Sequence, residues 1–168
     1  ITQISETVMY NITFLYLGAP TERFYREALD EYEKRLGRFC RFTEKCLKPE
    51  PLSSSPSEKD IARALAAEKA KITAAFPKNA YKIALCIEGK PLSSEELAET
   101  LERLPEKGVS DIVFLIGSSY GLDESLKKEC DMRLSMSRMT FAHSLAAVML
   151  VEQIYRAFCI QNGDKYHK

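Results

Sequence analysis

Met136-Ser137-Arg138-Met139-Thr140-Phe141-Ala142-His143 decides how the chain is read. The stretch has neither strand alternation nor a helical period. It lies between a short apolar run, Met132 to Ser135, and a long helical pattern, Ser144 to Ile160. A loop that feeds a helix N-terminus is a place where backbone N–H groups can meet a small ligand. Two more segments have the character to join it: Leu85-Cys86-Ile87-Glu88-Gly89-Lys90 and Ile116-Gly117-Ser118-Ser119-Tyr120-Gly121-Leu122. Each runs from a strand pattern into a glycine turn. Three strand-end loops at one edge of an α/β sheet make a ligand site.

The rest of the chain supplies such a sheet. Asp111 to Ile116 is the most hydrophobic strand pattern and is expected to be central; Tyr81 to Ile87 is apolar at nearly every position, as in a strand covered on both faces. Asn11 to Leu17, Phe39 to Leu47 and Met132 to Ser135 complete the strands. Between them lie helical patterns. Thr21 is the expected N-cap of the first, which should turn Phe24, Ala28, Leu29, Tyr32 and Leu36 inward and stop at Gly37. Ser57 with Asp60 opens the second, which carries Ile61, Leu65 and Ile72 inward. Ser93 with Glu96 opens the third, and Leu122 to Cys130 forms a short fourth. Pro49 to Ser57 reads as a mobile loop. The last helix is apolar nearly all round, which predicts burial on more than one side and a subunit interface. Strands alternating with helices predict an α/β fold, a mostly parallel sheet with helices on both faces.

The chain has 168 residues, enough for one domain with a sizeable core. Residues 9–168 read as that single domain and residues 1–8 as an N-terminal extension without the basic and apolar regions of a signal peptide. Formal net charge is zero, so bulk charge gives no support to nucleic-acid binding. Five cysteines without a Cys-x-x-Cys pair suggest neither a disulfide framework nor a zinc site, and reduced thiols fit a cytoplasmic protein. No apolar stretch is long enough to span a membrane. No Gly-x-Gly-x-x-Gly, Walker or Gly-x-Ser-x-Gly motif occurs, and two histidines are too few for most histidine metal sites; no metal is expected. Backbone groups from three turns plus apolar side chains suit an adenine-bearing cofactor without a phosphate chain.

Several segments, in this order, resemble one family. They are Leu-Gly at 17–18, Glu-Tyr-Glu-Lys-Arg-Leu-Gly at 31–37, Ile-Glu-Gly-Lys at 87–90 and Ser-Asp-Ile-Val-Phe-Leu-Ile-Gly at 110–117. Tyr-Gly-Leu at 120–122, Leu-Ser-Met-Ser-Arg-Met-Thr-Phe at 134–141, Glu-Gln-Ile-Tyr-Arg-Ala-Phe at 152–158 and Tyr-His-Lys at 166–168 follow. The chain resembles the SPOUT methyltransferases, and within them the ribosomal RNA large-subunit methyltransferase H family. The resemblance implies a C-terminal trefoil knot, a homodimer whose partner helps form the site, and S-adenosylmethionine as cofactor. It implies methylation at N3 of pseudouridine 1915 in 23S rRNA of the assembled ribosome. By position, the cofactor contacts fall on Leu85, Gly117, Met136, Ser137, Arg138, Met139, Thr140 and Phe141.

N3 of pseudouridine is an imide nitrogen and becomes a good nucleophile once its proton is lost. A neutral histidine can take that proton and an arginine can stabilise the oxygens of the anion. His167 and Arg156 are the candidates, with Tyr166 to hold the base. His143 is expected to orient the cofactor loop. Three positions depart from the family pattern: Ala142 and Ala147 stand where the last helix usually begins Pro-His-x-x-x-Arg, and Gly117-Ser118 replaces a glycine pair. The missing arginine removes a charge expected near the substrate face. Two other readings stay open: a different RNA target such as tRNA, or a ribosome-associated module that keeps the pocket without catalysis.

Overall fold

The strand Asp111–Ile116 (β4) is the middle of a five-stranded, wholly parallel sheet. The order is β2-β1-β4-β3-β5, where β1 is Tyr10–Leu17, β2 Cys40–Leu47, β3 Tyr81–Pro91 and β5 Met132–Ser135. The computed structural model describes residues 9–168; residues 1–8, read above as an extension, lie outside the described residues. The apolar run of β4 supplies both faces of the sheet. Ile112, Phe114 and Ile116 join Ile12, Phe14, Tyr16 and Ile83 under one set of helices, while Val113 and Leu115 join Leu15, Leu17 and Ala84 under the other. Burying these branched and aromatic side chains is the main stabilising term; truncating Phe114, 1% exposed, to alanine costs about 3–5 kcal/mol.

The helices α1 (Arg23–Leu36), α3 (Ser94–Arg103) and α5 (His143–Gln161) cover the first face; α2 (Glu58–Ala75) and α4 (Glu124–Glu129) cover the second. The capping boxes at Ser57–Asp60 and Ser93–Glu96 form as expected. Thr21 does not cap α1: Glu22 holds the N-cap position without a side-chain cap bond, and the Thr21 hydroxyl donates to Glu22 Oε2 at 3.0 Å. Phe24 is 63% exposed rather than inward. It precedes Leu29 by five residues, which at about 100° per residue turns it about 140° from the buried Leu29–Leu36 stripe. Its ring packs on Tyr25 instead, with centroids 4.4 Å apart. Pro49 to Ser57 is irregular but anchored at its start, where the Glu50 N–H donates to Glu68 Oε1 at 2.9 Å.

The apolar circumference of α5 is used largely within this chain. The helix lies on the sheet against both α1 and α3 and buries Leu150, Val151, Ile154, Tyr155, Phe158 and Cys159. Ala147 is also fully buried, so the position of the missing family arginine offers no surface to a substrate in this chain.

At the C-terminal end of β3 the ladder with β5 breaks. Leu134 pairs with both Leu85 and Lys90, and residues 86–89 bulge out between them. Gly89 makes this possible: a Cβ there would lie 2.7 Å from the Leu134 carbonyl carbon and 2.9 Å from the Arg133 oxygen. The bulge therefore hugs β5 and faces the loop that follows it.

Candidate active site

All strands of a parallel sheet run toward the same edge, and here the bulge of β3 and the loops after β4 and β5 meet there. They enclose a cavity of about 820 Å³, within the usual range for small-molecule sites. Leu85, Gly117, Met136, Ser137, Met139, Thr140 and Phe141 all line it. Arg138 does not; it is exposed and points away from the cavity lining. The reason is local: Met139 N–H donates to Ser137 Oγ at 3.0 Å, and Ser135 Oγ donates to the Ser137 carbonyl at 3.1 Å. These bonds fold residues 135–139 into a tight turn that sends Arg138 outward.

The β4 loop is tighter still. Gly121 N–H donates to the Ser118 carbonyl at 2.8 Å, and Gly121 has φ +85°. A Cβ on Gly117 would sit 2.2 Å from the Gly121 carbonyl oxygen and 2.9 Å from Leu122 Cδ2. Gly117 is therefore demanded by closure of its own turn, before any ligand enters.

Sequence reasoning missed part of the wall. Ala62 and Leu65 of α2 line the cavity, as do Glu124 and Lys127, beside Glu88 of the segment already read from the sequence. The Lys127 side chain is only 9% exposed and its ammonium is paired with Glu88 and Glu124. Burial opposes its charge, but the two carboxylates outweigh burial and raise its pKa. The Lys127 hydrogen bond in turn lowers the Glu88 pKa. Lys127 sits in a Lys-Lys pair that reads as solvated surface. The available signal is its position directly after the buried Leu126, with Glu124 three residues earlier. His143, the first residue of α5, also lines the cavity, and its Nε2 is buried without a hydrogen-bond partner among the described residues.

The tail residues form a second cluster. Tyr166 OH donates to Glu152 Oε1 at 3.0 Å and lies 3.5 Å from Tyr32 OH. Burial, with the Tyr32 and Glu152 contacts adding to it, raises the Tyr166 pKa well above the usual phenol value. The Arg156 guanidinium lies over the Tyr166 ring at 4.7 Å, and its Nε donates to Glu152 Oε1 at 3.0 Å. His167 Nδ1 is 3.3 Å from Arg156 Nη1 and its Nε2 is 2.8 Å from Glu95 Oε1. An arginine N–H can only donate, so Nδ1 is the acceptor and the ring proton sits on Nε2, donated to Glu95. Arg156, Tyr166 and His167 are thus brought together, but not with the loops that line the cavity. Arg156 follows His143 by thirteen residues of helix, about 20 Å along α5.

Three chain segments at one edge of a parallel sheet, closed around one cavity, make a small-molecule site, and comparison with known proteins gives its family. The chain belongs to the SPOUT methyltransferase family: the model described as "Predicted SPOUT methyltransferase" matches residues 10–167. Within it, the chain belongs with the proteins named ribosomal RNA large subunit methyltransferase H, and it is a methyltransferase. It is 42% identical to the one from Clostridium botulinum, over 94% of this chain and 99% of that protein. It is 44% identical to the one from Clostridium novyi over the same shares. Among solved structures, a methylase family protein from Neisseria gonorrhoeae superposes with TM-score 0.51 at 12% identity, covering 92% of this chain and 85% of that one; this supports the fold alone.

Proposed function

We propose that the chain uses S-adenosylmethionine to methylate N3 of a pseudouridine in 23S rRNA, acting on the assembled ribosome in the cytoplasm. Residues 9–168 work as one domain, with the chain threaded as a trefoil knot through the cofactor loops. The observation that carries this reading is the cavity itself, formed by the three loops read from the sequence, in a chain 42% identical to named rRNA methyltransferases. S-adenosylmethionine supplies a sulfonium-bound methyl group that a nucleophile can take in line. Backbone groups of residues 136–141 and of the turn after Gly117 would hold the cofactor, with Leu85 and Phe141 as apolar walls. The unpartnered His143 Nε2 gives the cavity wall a polar atom still to be satisfied.

The substrate-side chemistry belongs to Arg156, Tyr166 and His167. They stand about 20 Å from the loops of their own chain, so the working unit is a homodimer in which one copy's tail faces its partner's cavity. Apolar side chains left exposed near the cavity mouth and on α5, Met139 at 73% and Leu145 at 36%, are available for that contact. On binding, the base displaces Arg156 from His167 Nδ1. The freed Nδ1 lone pair takes the N3 proton while Nε2–H stays on Glu95, and the released guanidinium stabilises the imide oxygens. Calorimetry with S-adenosylmethionine tests the reading: micromolar or tighter binding, lost when the 136–141 loop is replaced by glycines, supports it. Absence of binding contradicts it.

A further inference from the structure

Glu68 occupies a core position on α2. It lies four residues from Ala64 and four from Ile72, the buried stripe of the helix, and is itself only 3% exposed. A buried carboxyl group is costly unless its oxygens are satisfied, and no cation of the described residues pairs with this one. Both oxygens are in use. Oε1 accepts the Glu50 backbone N–H at 2.9 Å and Oε2 accepts the Ser118 hydroxyl at 2.9 Å. One side chain outside the cavity lining thus ties the loop after β2 to the loop after β4. Ser118 is a cavity residue whose carbonyl closes the turn by accepting Gly121 N–H. Lys71, one turn further along α2, pairs with Glu50 and reinforces the same anchor.

We infer that Glu68 is a positioning residue for the cofactor: through Ser118 it holds the β4 loop in the conformation that shapes the cavity. Apolar residues at this helix position would pack as well and cost less to bury. What they lack is a means of fixing a hydroxyl on the cavity wall. Ser118 supplies the hydroxyl that this carboxyl group holds, on the wall of the cavity. The inference rests on the cavity being the S-adenosylmethionine site.

The test uses Glu68→Met, Glu68→Gln, Ser118→Ala and the Glu68→Met/Ser118→Ala double variant. Glutamine has the same shape and can accept from Glu50 N–H while donating to Ser118 Oγ. Expected outcomes are a KM for S-adenosylmethionine raised about tenfold by Glu68→Met and by Ser118→Ala, with kcat within about twofold, and near-normal values for Glu68→Gln. The double variant should be no worse than the poorer single, because the two residues act through one bond. Unchanged KM in Glu68→Met, or losses that multiply in the double variant, would overturn the inference. Hydrogen exchange at the Gly121 amide is measured in parallel and should be faster in Glu68→Met and in Ser118→Ala. If Glu68→Met does not fold, Ser118→Ala decides by that exchange; protection equal to the unmodified protein overturns the inference. Should the unmodified protein bind no S-adenosylmethionine, the cofactor reading fails, while exchange at Gly121 still decides whether Glu68 holds the loop.

Discussion

Gly117→Ala places one methyl group where the turn has no room for it. The added Cβ would lie 2.2 Å from Gly121 O, 2.6 Å from Gly121 C and 2.9 Å from Leu122 Cδ2. An ordinary contact needs about 3.4 Å or more, so the Gly121 carbonyl has to retreat by roughly 1 Å, and backbone cannot rotate away as a side-chain tip can. The retreat strains the Gly121–Ser118 bond that closes the loop. Overpacking of this kind costs about 1–3 kcal/mol of stability. A cavity wall displaced by about 1 Å costs about a hundredfold in catalytic efficiency, because binding and alignment depend on it. Gly121→Ala is the control: nothing lies within 4 Å of its added Cβ, but φ is +85°, so it pays only a conformational cost of about 1–2 kcal/mol. Calorimetry and thermal melting on the three proteins separate the effects. Gly117→Ala should lose S-adenosylmethionine affinity far beyond what its lower melting temperature explains, and Gly121→Ala should mainly lower the melting temperature. Gly117→Ala with affinity within twofold of the unmodified protein would refute the argument that this turn shapes the cavity.

Deleting residues 164–168 should leave cofactor affinity intact while methyl transfer falls about 10²–10⁴-fold, and His167→Ala should show part of that loss, recovered in part at higher pH as the imide ionises unaided; full activity in the truncated protein would return the tail to a structural role. Light scattering at micromolar concentration should report a dimer, and Leu145→Glu should weaken it. Acid stability should depend on Glu44, whose side chain is 16% exposed and bonded to Arg26 and Tyr16. Burial pushes the Glu44 pKa up, but the Arg26 and Tyr16 hydrogen bonds together carry it below the ordinary 4.5. A depressed carboxyl pKa means the contribution is complete above the ordinary value and lost as pH falls through the folded one. Denaturant melts should therefore show stability draining below about pH 4.5, with a flatter acid limb and lower neutral stability in Glu44→Gln.

The α/β class was legible because β4 and β3 are too uniformly apolar for one-sided strands, and the capped helices between them force parallel connections. The segments that line the cavity were legible for a related reason: strand ends that break into glycine turns share one edge of a parallel sheet. Arg138 shows the limit, since the two hydrogen bonds of Ser135 and Ser137 that turn it outward depend on where the backbone folds. Phe24 was misjudged because its five-residue spacing from Leu29 sets it about 140° from the buried stripe, outside the face that Leu29 and Leu36 define. Lys127 and Glu68 were invisible as site residues because charged side chains read as surface, and only tertiary packing reveals that each is buried against loops distant in sequence. The separation of the tail from the cavity could not be read either, since it depends on the length of α5 and its direction across the sheet.

The most direct test is to incubate the purified protein with undermethylated ribosomes and S-adenosylmethionine carrying a deuterated methyl group, then locate the label by mass spectrometry of 23S rRNA and tRNA nucleosides. The account predicts label on N3 of one pseudouridine in 23S rRNA, at a rate far higher on ribosomes than on naked rRNA. Label in tRNA, label at another rRNA atom, or no label at all would contradict it.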